Sequence, residues 1–273
     1  MMTTFQYAPV ADPHFGTHKE TIQRIWDQMQ RLQTDFAIAQ ELSFYYTSPQ
    51  WQNAHTVLDV GTGNGYYLKQ IAARFPGKKY TGIDLSPELV DVANREACEN
   101  NVSFENSRLF DHEGTYDFVL MRLLLQHLDD IPAALDRVSQ LTRPGGAALI
   151  IDANDTVRYF CPKFPLFTEF FAAYTEHERC AGRDRRVGDR IEEALAQSTS
   201  WIRGDTLPLL IPSTVNGNLE LFRQTYTLFV DLVREAGELE YDFESVKDAW
   251  FRWSALPDAY TQVGLSLIRI DRV

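Results

Sequence analysis

The stretch VLDVGTGNGYYL, Val57 to Leu68, decides how the rest of this 273-residue chain is read. A short apolar run carries one acid, Asp59, and runs into Gly61, Gly63 and Gly65, spaced two apart. Glycine admits positive φ and lets the backbone approach a ligand closely. The segment from Tyr66 onward has helical character, and a helix N-terminus adds unpaired N–H groups at the turn. Together these features describe a strand that feeds a nucleotide-binding turn and then a helix.

The spacing narrows the choice of nucleotide. A dinucleotide fingerprint places its third glycine at offset five. That offset falls here on Tyr66, whose ring spoils the close helix–strand contact which such a glycine serves. A triphosphate cradle needs Gly-Lys-Ser/Thr at the end of the turn, and no such triplet follows Gly65. Asp84 closes the next apolar run, 19 positions after Gly65. A carboxylate at that place accepts the two hydroxyls of a ribose, and Leu85 beside it suits packing on a base.

Outward from this stretch, strand-like and helix-like segments alternate. VLDV (57–60), KYTGIDL (79–85), VSFE (102–105), YDFVLM (116–121) and AALIID (147–152) read as strands. Helices are expected over 66–75, from Ser86-Pro87 to Asn100, and over 131–141, where Arg143-Pro144-Gly145-Gly146 stops the last one. Ser86 has the character of an N-cap with proline in the first turn. The strands are apolar on both faces, which implies a parallel sheet with helices on both sides. Upstream, Thr17 to Glu20 matches a capping box. Ile22, Ile25, Trp26, Met29, Leu32 and Phe36 then fall on one helical face, with a break at Ser48-Pro49. Downstream, 155–198 reads as mainly helical, 201–211 as a strand, 219–236 as a helix and 261–270 as a strand.

DVGTGNG, GIDLSPELVDVA, YDFVLMRLLLQHLDD and TRPGGAALIID occur in that order between Thr56 and Asp152. This ordered set resembles the class I S-adenosylmethionine-dependent methyltransferases, in particular the group that methylates small molecules. The resemblance implies an α/β fold: a Rossmann-like, seven-stranded, mostly parallel sheet with helices on both faces. N-terminal helices and a helical insertion after the fifth strand would form a lid. The implied division is 1–55 for the arm and covering helices, 56–154 for the cofactor-binding core, 155–200 for the lid, and 201–273 for the remainder of the sheet. The implied cofactor is S-adenosylmethionine, with S-adenosylhomocysteine as product. By the same resemblance, Asp59 and the Gly61 backbone would help hold the methionine end, Gly63 and Gly65 would belong to the same cofactor-binding turn, and Asp84 and Leu85 would hold the ribose and adenine. Met121 and Arg122 would lie near the sulfonium; Arg122 equally suits pairing with a neighbouring acid. Ser107, Arg108 and Leu109 occupy the adenine triplet. Arg108 stands where the family carries an acid, and a guanidinium cannot accept a hydrogen bond. The Ser107 hydroxyl and Leu109 backbone, or Asp111, would have to serve instead.

Outside these motifs, His127 follows the fourth strand at the expected mouth of the site. A histidine there acts as a general base near neutral pH or orients the acceptor; a partly buried structural role is the plainer reading. Tyr45 and Tyr46 either reach over the cofactor or pack in the core. Phe160, Phe164, Phe167, Phe170, Phe171 and Tyr174 form an aromatic stripe that reads mostly as core, with some rings suited to line an acceptor pocket. Arg179, Arg183, Arg185, Arg186 and Arg190 form a basic run, either a solvated face or a site for an acceptor's carboxylate or phosphate.

A net charge of −12 argues against a nucleic-acid partner. No apolar run is long enough to span a membrane, and no signal peptide precedes the first helix. The odd and scattered Cys98, Cys161 and Cys180 suit a reducing, cytoplasmic setting without a disulfide framework or metal site. The acceptor is therefore expected to be a small molecule or a short peptide, and a homodimer is compatible with the sequence. Two other classes stand beside this one: an NAD-dependent oxidoreductase on a related sheet, and a non-catalytic partner subunit with the same fold.

Overall fold

The computed structural model describes residues 15–97, 100–183, 185, 187–215, 218–237 and 239–273. Its first five strands are β1 (Thr56–Val60), β2 (Lys79–Asp84), β3 (Val102–Asn106), β4 (Tyr116–Arg122) and β5 (Thr142–Ala153). They lie parallel in the order β3–β2–β1–β4–β5. β6 (Tyr159–Cys161), β7 (Trp201–Pro212) and β8 (Tyr260–Arg272) complete the sheet, all joined through antiparallel pairing with β8. Eight strands thus stand where seven are expected. Gln262 of β8 pairs with Tyr159 of β6 and with Pro212 of β7, so those two strands flank β8 on opposite sides. β5 also lies opposite β7, against Leu265 to Asp271. β6 therefore continues the position of β5 after a break, and eight strands fill seven positions.

Alternation along each strand sends neighbours to opposite faces. Val57, Leu120, Leu149 and Leu267 belong to one buried cluster. Leu58, Val119, Ile150 and Ile268 belong to the other. The second face is covered by α5 (Ile131–Leu141) and α7 (Val187–Gln197), through Leu135, Val138, Ile191 and Leu195. The first carries α1 (Phe15–Thr47), α2 (Pro49–Asn53), α3 (Tyr66–Arg74), α4 (Pro87–Arg95), α6 (Pro165–Cys180), α8 (Asn218–Ala236) and α9 (Phe243–Ser254).

Several expectations change in detail. Thr17 lies within the span of α1, not ahead of it. α4 starts as expected, with Ser86 accepting from the Leu89 N–H, but ends at Arg95. The segment 155–164 is not helical; it holds a short turn and β6. α9 was not singled out from the sequence, although Val246, Trp250 and Trp253 recur at the three- and four-residue spacing of a helix. The Pro-Gly-Gly stretch lies within the span of β5. Pairing steps from Tyr116↔Thr142 to Phe118↔Ala147, so it loops out opposite Asp117. Gly145 takes φ +74° there.

The aromatic stripe is core. Phe160, Phe164, Phe167, Phe170 and Phe171 are buried, and Phe164 stacks on Trp253 with centroids 5.4 Å apart. Phe167 meets Tyr226 edge-on at 5.0 Å. This cluster joins α6 to α8 and α9 beside the sheet.

Candidate functional site

The strand order reverses between β1 and β4, and open α/β sheets bind ligands at such a switch point, beyond the carboxyl ends of the strands. The glycine turn lies there. Gly61, Gly63 and Gly65 have φ of +72°, +57° and +71°, a region that L side chains rarely enter. The Gly61 and Thr62 N–H groups donate to the Ile83 carbonyl at 2.9 and 3.0 Å, tying the turn to β2. A Cβ on Gly65 would lie 2.8 Å from the Ala93 Cβ. Gly65 thus supplies the close helix–strand approach that Tyr66 rules out at the next position. The Tyr66 ring instead points outward, its hydroxyl donating to Asp35 at 2.9 Å.

Asp84 ends β2. Its Oδ2 accepts from the Gly63 N–H at 2.8 Å and its Oδ1 from the Ser86 N–H at 2.9 Å. Burial raises its pKa, and these backbone donors pull it back down. Leu85 and, after β3, Phe110 are each 53% exposed. They are apolar side chains on the ends of adjacent strands; Phe110 was not singled out from sequence, since an isolated aromatic in a loop gives no signal. In the triplet expected at the adenine, Ser107 donates to the Arg108 carbonyl and the Leu109 carbonyl accepts from Arg137. Arg108 is exposed and lies 4.0 Å from Asp111.

Asp59 differs from Asp84. It is 2% exposed and receives no hydrogen bond from a backbone N–H. Burial pushes its carboxyl up to about 7, with Thr62 and Arg122 opposing and Asp84 adding to the rise. Met121 turns its side chain into the second core cluster, so only its backbone faces the carboxyl end of the sheet. Arg122 reaches α1. Its Nε and Nη2 donate to the fully buried Glu41 at 3.0 to 3.2 Å, and Nη2 also donates to the Gln33 carbonyl. Its guanidinium lies 4.5 Å over the Tyr67 ring. Tyr45 shares a 2.7 Å hydrogen bond with the Tyr67 hydroxyl and is wholly buried, while Tyr46 is exposed beside Phe75. Neither tyrosine lies against the glycine turn. Two residues of α1 do: the Gln30 Oε1 accepts from the Asn64 N–H at 2.9 Å, and the Asp27 Oδ1 from the Asn64 Nδ2 at 2.8 Å. Gln30 and Glu41 look like ordinary helix-surface residues in the sequence; only docking of α1 gives them partners.

The turn after β4 forms the other wall. Leu123 takes φ +53°, a strained value for leucine. Leu124 then lies against Gly61, 2.8 Å from where a Cβ would be. Asp152, at the end of β5, accepts from the Leu125, Gln126 and Ala153 N–H groups. Burial raises it to about 6, opposed by these donors and Arg185. His127 follows in a short helical turn, Leu125–His127. Its Nδ1 is enclosed without a hydrogen-bond partner. Burial lowers its pKa to about 4, with Arg185 and Arg183 adding to the fall and Glu178 opposing it. At neutral pH the imidazole is uncharged and a weak base. Of the basic run, Arg179 pairs with Glu176 and Arg183 with Glu178, and Arg185 turns inward to Asp155 and Gln126. Arg186 lies outside the described residues, as does Cys98. No described helix is long and apolar enough to cross a membrane.

Comparison with known proteins agrees with this geometry. Residues 58–148 match a family model described as a methyltransferase domain. A malonyl-[acyl-carrier protein] O-methyltransferase of Serratia marcescens is 34% identical over 94 residues, 34% of this chain and 36% of that protein. A ubiquinone biosynthesis O-methyltransferase of Xanthomonas euvesicatoria pv. vesicatoria is 34% identical over 153 residues, 50% of this chain and 63% of that protein. The chain thus spans less than two thirds of the length of these curated relatives. Among solved structures, geranyl diphosphate methyltransferase in complex with S-adenosylmethionine superposes with a TM-score of 0.51 at 17% identity, covering 98% of this chain and 95% of the other. That likeness is one of fold. Residues 58–148 thus carry a methyltransferase domain, on a sheet whose strand order and left-handed glycine turn agree with that match.

Proposed function

We propose that this protein transfers a methyl group from S-adenosylmethionine to a small organic molecule or a short peptide. The observation that carries the reading is a pair of acids flanking the left-handed glycine turn, Asp59 buried and Asp84 half-buried. Asp84 is held open to a ribose by two backbone donors, while Asp59 has no backbone donor and suits a ligand ammonium. The cofactor, when bound, supplies a methyl group already activated on a sulfonium.

The chain's own part is to bind, align and exclude water. Asp84 accepts the ribose hydroxyls, and Leu85 and Phe110 offer apolar cover for the adenine. Ser107, Arg108 and Leu109 border its edge through backbone groups. Asp59 and the Gly61–Gly65 turn hold the methionine end. Arg122, locked to Glu41, keeps α1 closed over that end and shields it from water. His127 orients the acceptor through Nδ1; its low basicity suits a hydrogen-bonding role better than proton abstraction. In-line positioning then supplies much of the rate.

Calorimetric titration tests the reading. Saturable binding of S-adenosylhomocysteine without NAD binding is expected, and Asp84→Ala should weaken it by about a hundredfold through loss of a charged double acceptor. Saturable NAD binding with no affinity for S-adenosylhomocysteine would replace this reading by the oxidoreductase one.

A further inference from the structure

Beyond the ends of β4 and β5, on the side away from the ribose acid, guanidinium groups gather around the turn that carries His127. Arg158 and Arg185 share one carboxylate. The Arg158 Nη2 donates to Asp155 Oδ1 at 2.7 Å, and the Arg185 Nε donates to Oδ2 at 2.7 Å. Arg158 also lies 3.8 Å over the Phe171 ring and contacts the Tyr226 hydroxyl. Arg190, on α7, donates to the Leu128 and Asp129 carbonyls at 2.9 and 2.7 Å, immediately after His127. Its hydrogen bonds go to neutral carbonyl groups.

Three buried polar atoms in this cluster have no partner: Arg158 Nε, Arg190 Nη1 and His127 Nδ1. A buried donor left unsatisfied costs about 1–3 kcal/mol, more for a charged group. Such atoms are rare in folded proteins and point to a ligand or to an ordered water. The three atoms belong to the turn after β4, the segment after β5 and α7.

We propose that the methyl acceptor is an ionised carboxylic acid, held by the unpartnered Arg158 Nε and Arg190 Nη1 beside His127, and that the product is its methyl ester. The inference rests on the methyltransferase reading and deepens it by naming the acceptor class. Guanidinium groups present planar paired donors that match a carboxylate. Arg158, already stacked on Phe171, gives an apolar acid skeleton an aromatic surface beside its charge. The transfer balances without a proton. An acceptor oxygen lone pair forms the O–CH3 bond, the methyl C–S bond breaks, and its electron pair stays on sulfur. No general base is needed, which agrees with a neutral, weakly basic His127 in the company of Arg183, Arg185, Glu178, Asp152 and Asp155.

The test incubates the full chain with methyl-tritiated S-adenosylmethionine and cinnamate, benzoate or octanoate. Each acid is run beside its primary amide and its alcohol. Methyl esters release label as volatile methanol in mild alkali, whereas ethers and N-methyl groups retain it. Alkali-labile label on at least one acid is expected, with kcat at saturating S-adenosylmethionine level between about pH 6 and 9, because the acceptor is already ionised there. Arg190→Gln and Arg158→Lys should each raise the KM for that acid by about tenfold or more, as loss of a charge-assisted hydrogen bond implies. Affinity for S-adenosylhomocysteine should stay within about twofold, because neither residue touches the glycine turn or Asp84. Alkali-stable label, no label on any acid from a chain that binds S-adenosylhomocysteine, or unchanged KM in both variants overturns the carboxylate proposal and leaves the methyltransferase reading standing. Absence of S-adenosylhomocysteine binding overturns both.

Discussion

Asp59→Asn should make the ligand-free protein more stable at pH 8 while removing its hold on the cofactor. In the folded chain the carboxyl is buried and its pKa lies at about 7, against an ordinary value of 3.8. A carboxyl with a raised folded pKa binds protons more tightly in the native state than in the unfolded one. Its effect on stability is therefore smallest below the unfolded value, and the penalty grows as pH climbs from 3.8 to about 7. The full shift corresponds to about 4 kcal/mol, an upper figure because Arg122 and Thr62 can adjust when the charge forms. Asparagine keeps the shape and removes the charge. Urea denaturation of both proteins at pH 5 and pH 8 measures the effect. The variant should gain about 2–4 kcal/mol over the parent at pH 8, and clearly less at pH 5. A ligand ammonium would restore the ionised form in the parent. Its affinity for S-adenosylhomocysteine should thus weaken as pH falls below 7, towards about tenfold per unit, and the variant should lack that slope. A stability difference independent of pH, or a parent more stable than Asp59→Asn at pH 8, would refute the assignment of a buried, proton-binding acid beside the turn.

Three further outcomes follow from the geometry. Glu41→Gln leaves the buried Arg122 without its charge partner, and should cost about 3–5 kcal/mol, read as a lower denaturation midpoint. Gly65→Ala forces a Cβ into the left-handed region and against Ala93 and Phe104; a loss of about 2 kcal/mol or more is expected in the same assay. Trp250→Ala opens the aromatic cluster that joins α6, α8 and α9. It should destabilise by about 3–5 kcal/mol, with S-adenosylhomocysteine affinity preserved at temperatures where the protein remains folded.

The covered parallel sheet was legible because its strands are apolar on both faces, as with Val57 and Leu58, whose side chains enter opposite cores. The glycine turn was legible because no other residue tolerates positive φ at three nearby positions. Asp84 could be placed by its distance along one βαβ unit. These are local properties, set by a few dozen consecutive residues. The partners of Arg122 were not legible: Glu41 is 81 positions away and reaches it only after α1 docks. The same holds for Gln30 against Asn64, for Asp152 beneath the turn after β4, and for Arg158 with Arg185 on Asp155.

The sequence by itself therefore determined the α/β architecture, the left-handed glycine turn and the place of Asp84 at the end of β2, because periodicity, glycine spacing and strand length act at short range. Tertiary structure alone decided that Asp59 is buried beside the turn, that Arg122 pairs with Glu41, and that the His127 Nδ1 is enclosed without a partner. A side chain's charge state and partners depend on the desolvation and contacts brought by distant segments, and no local pattern encodes either.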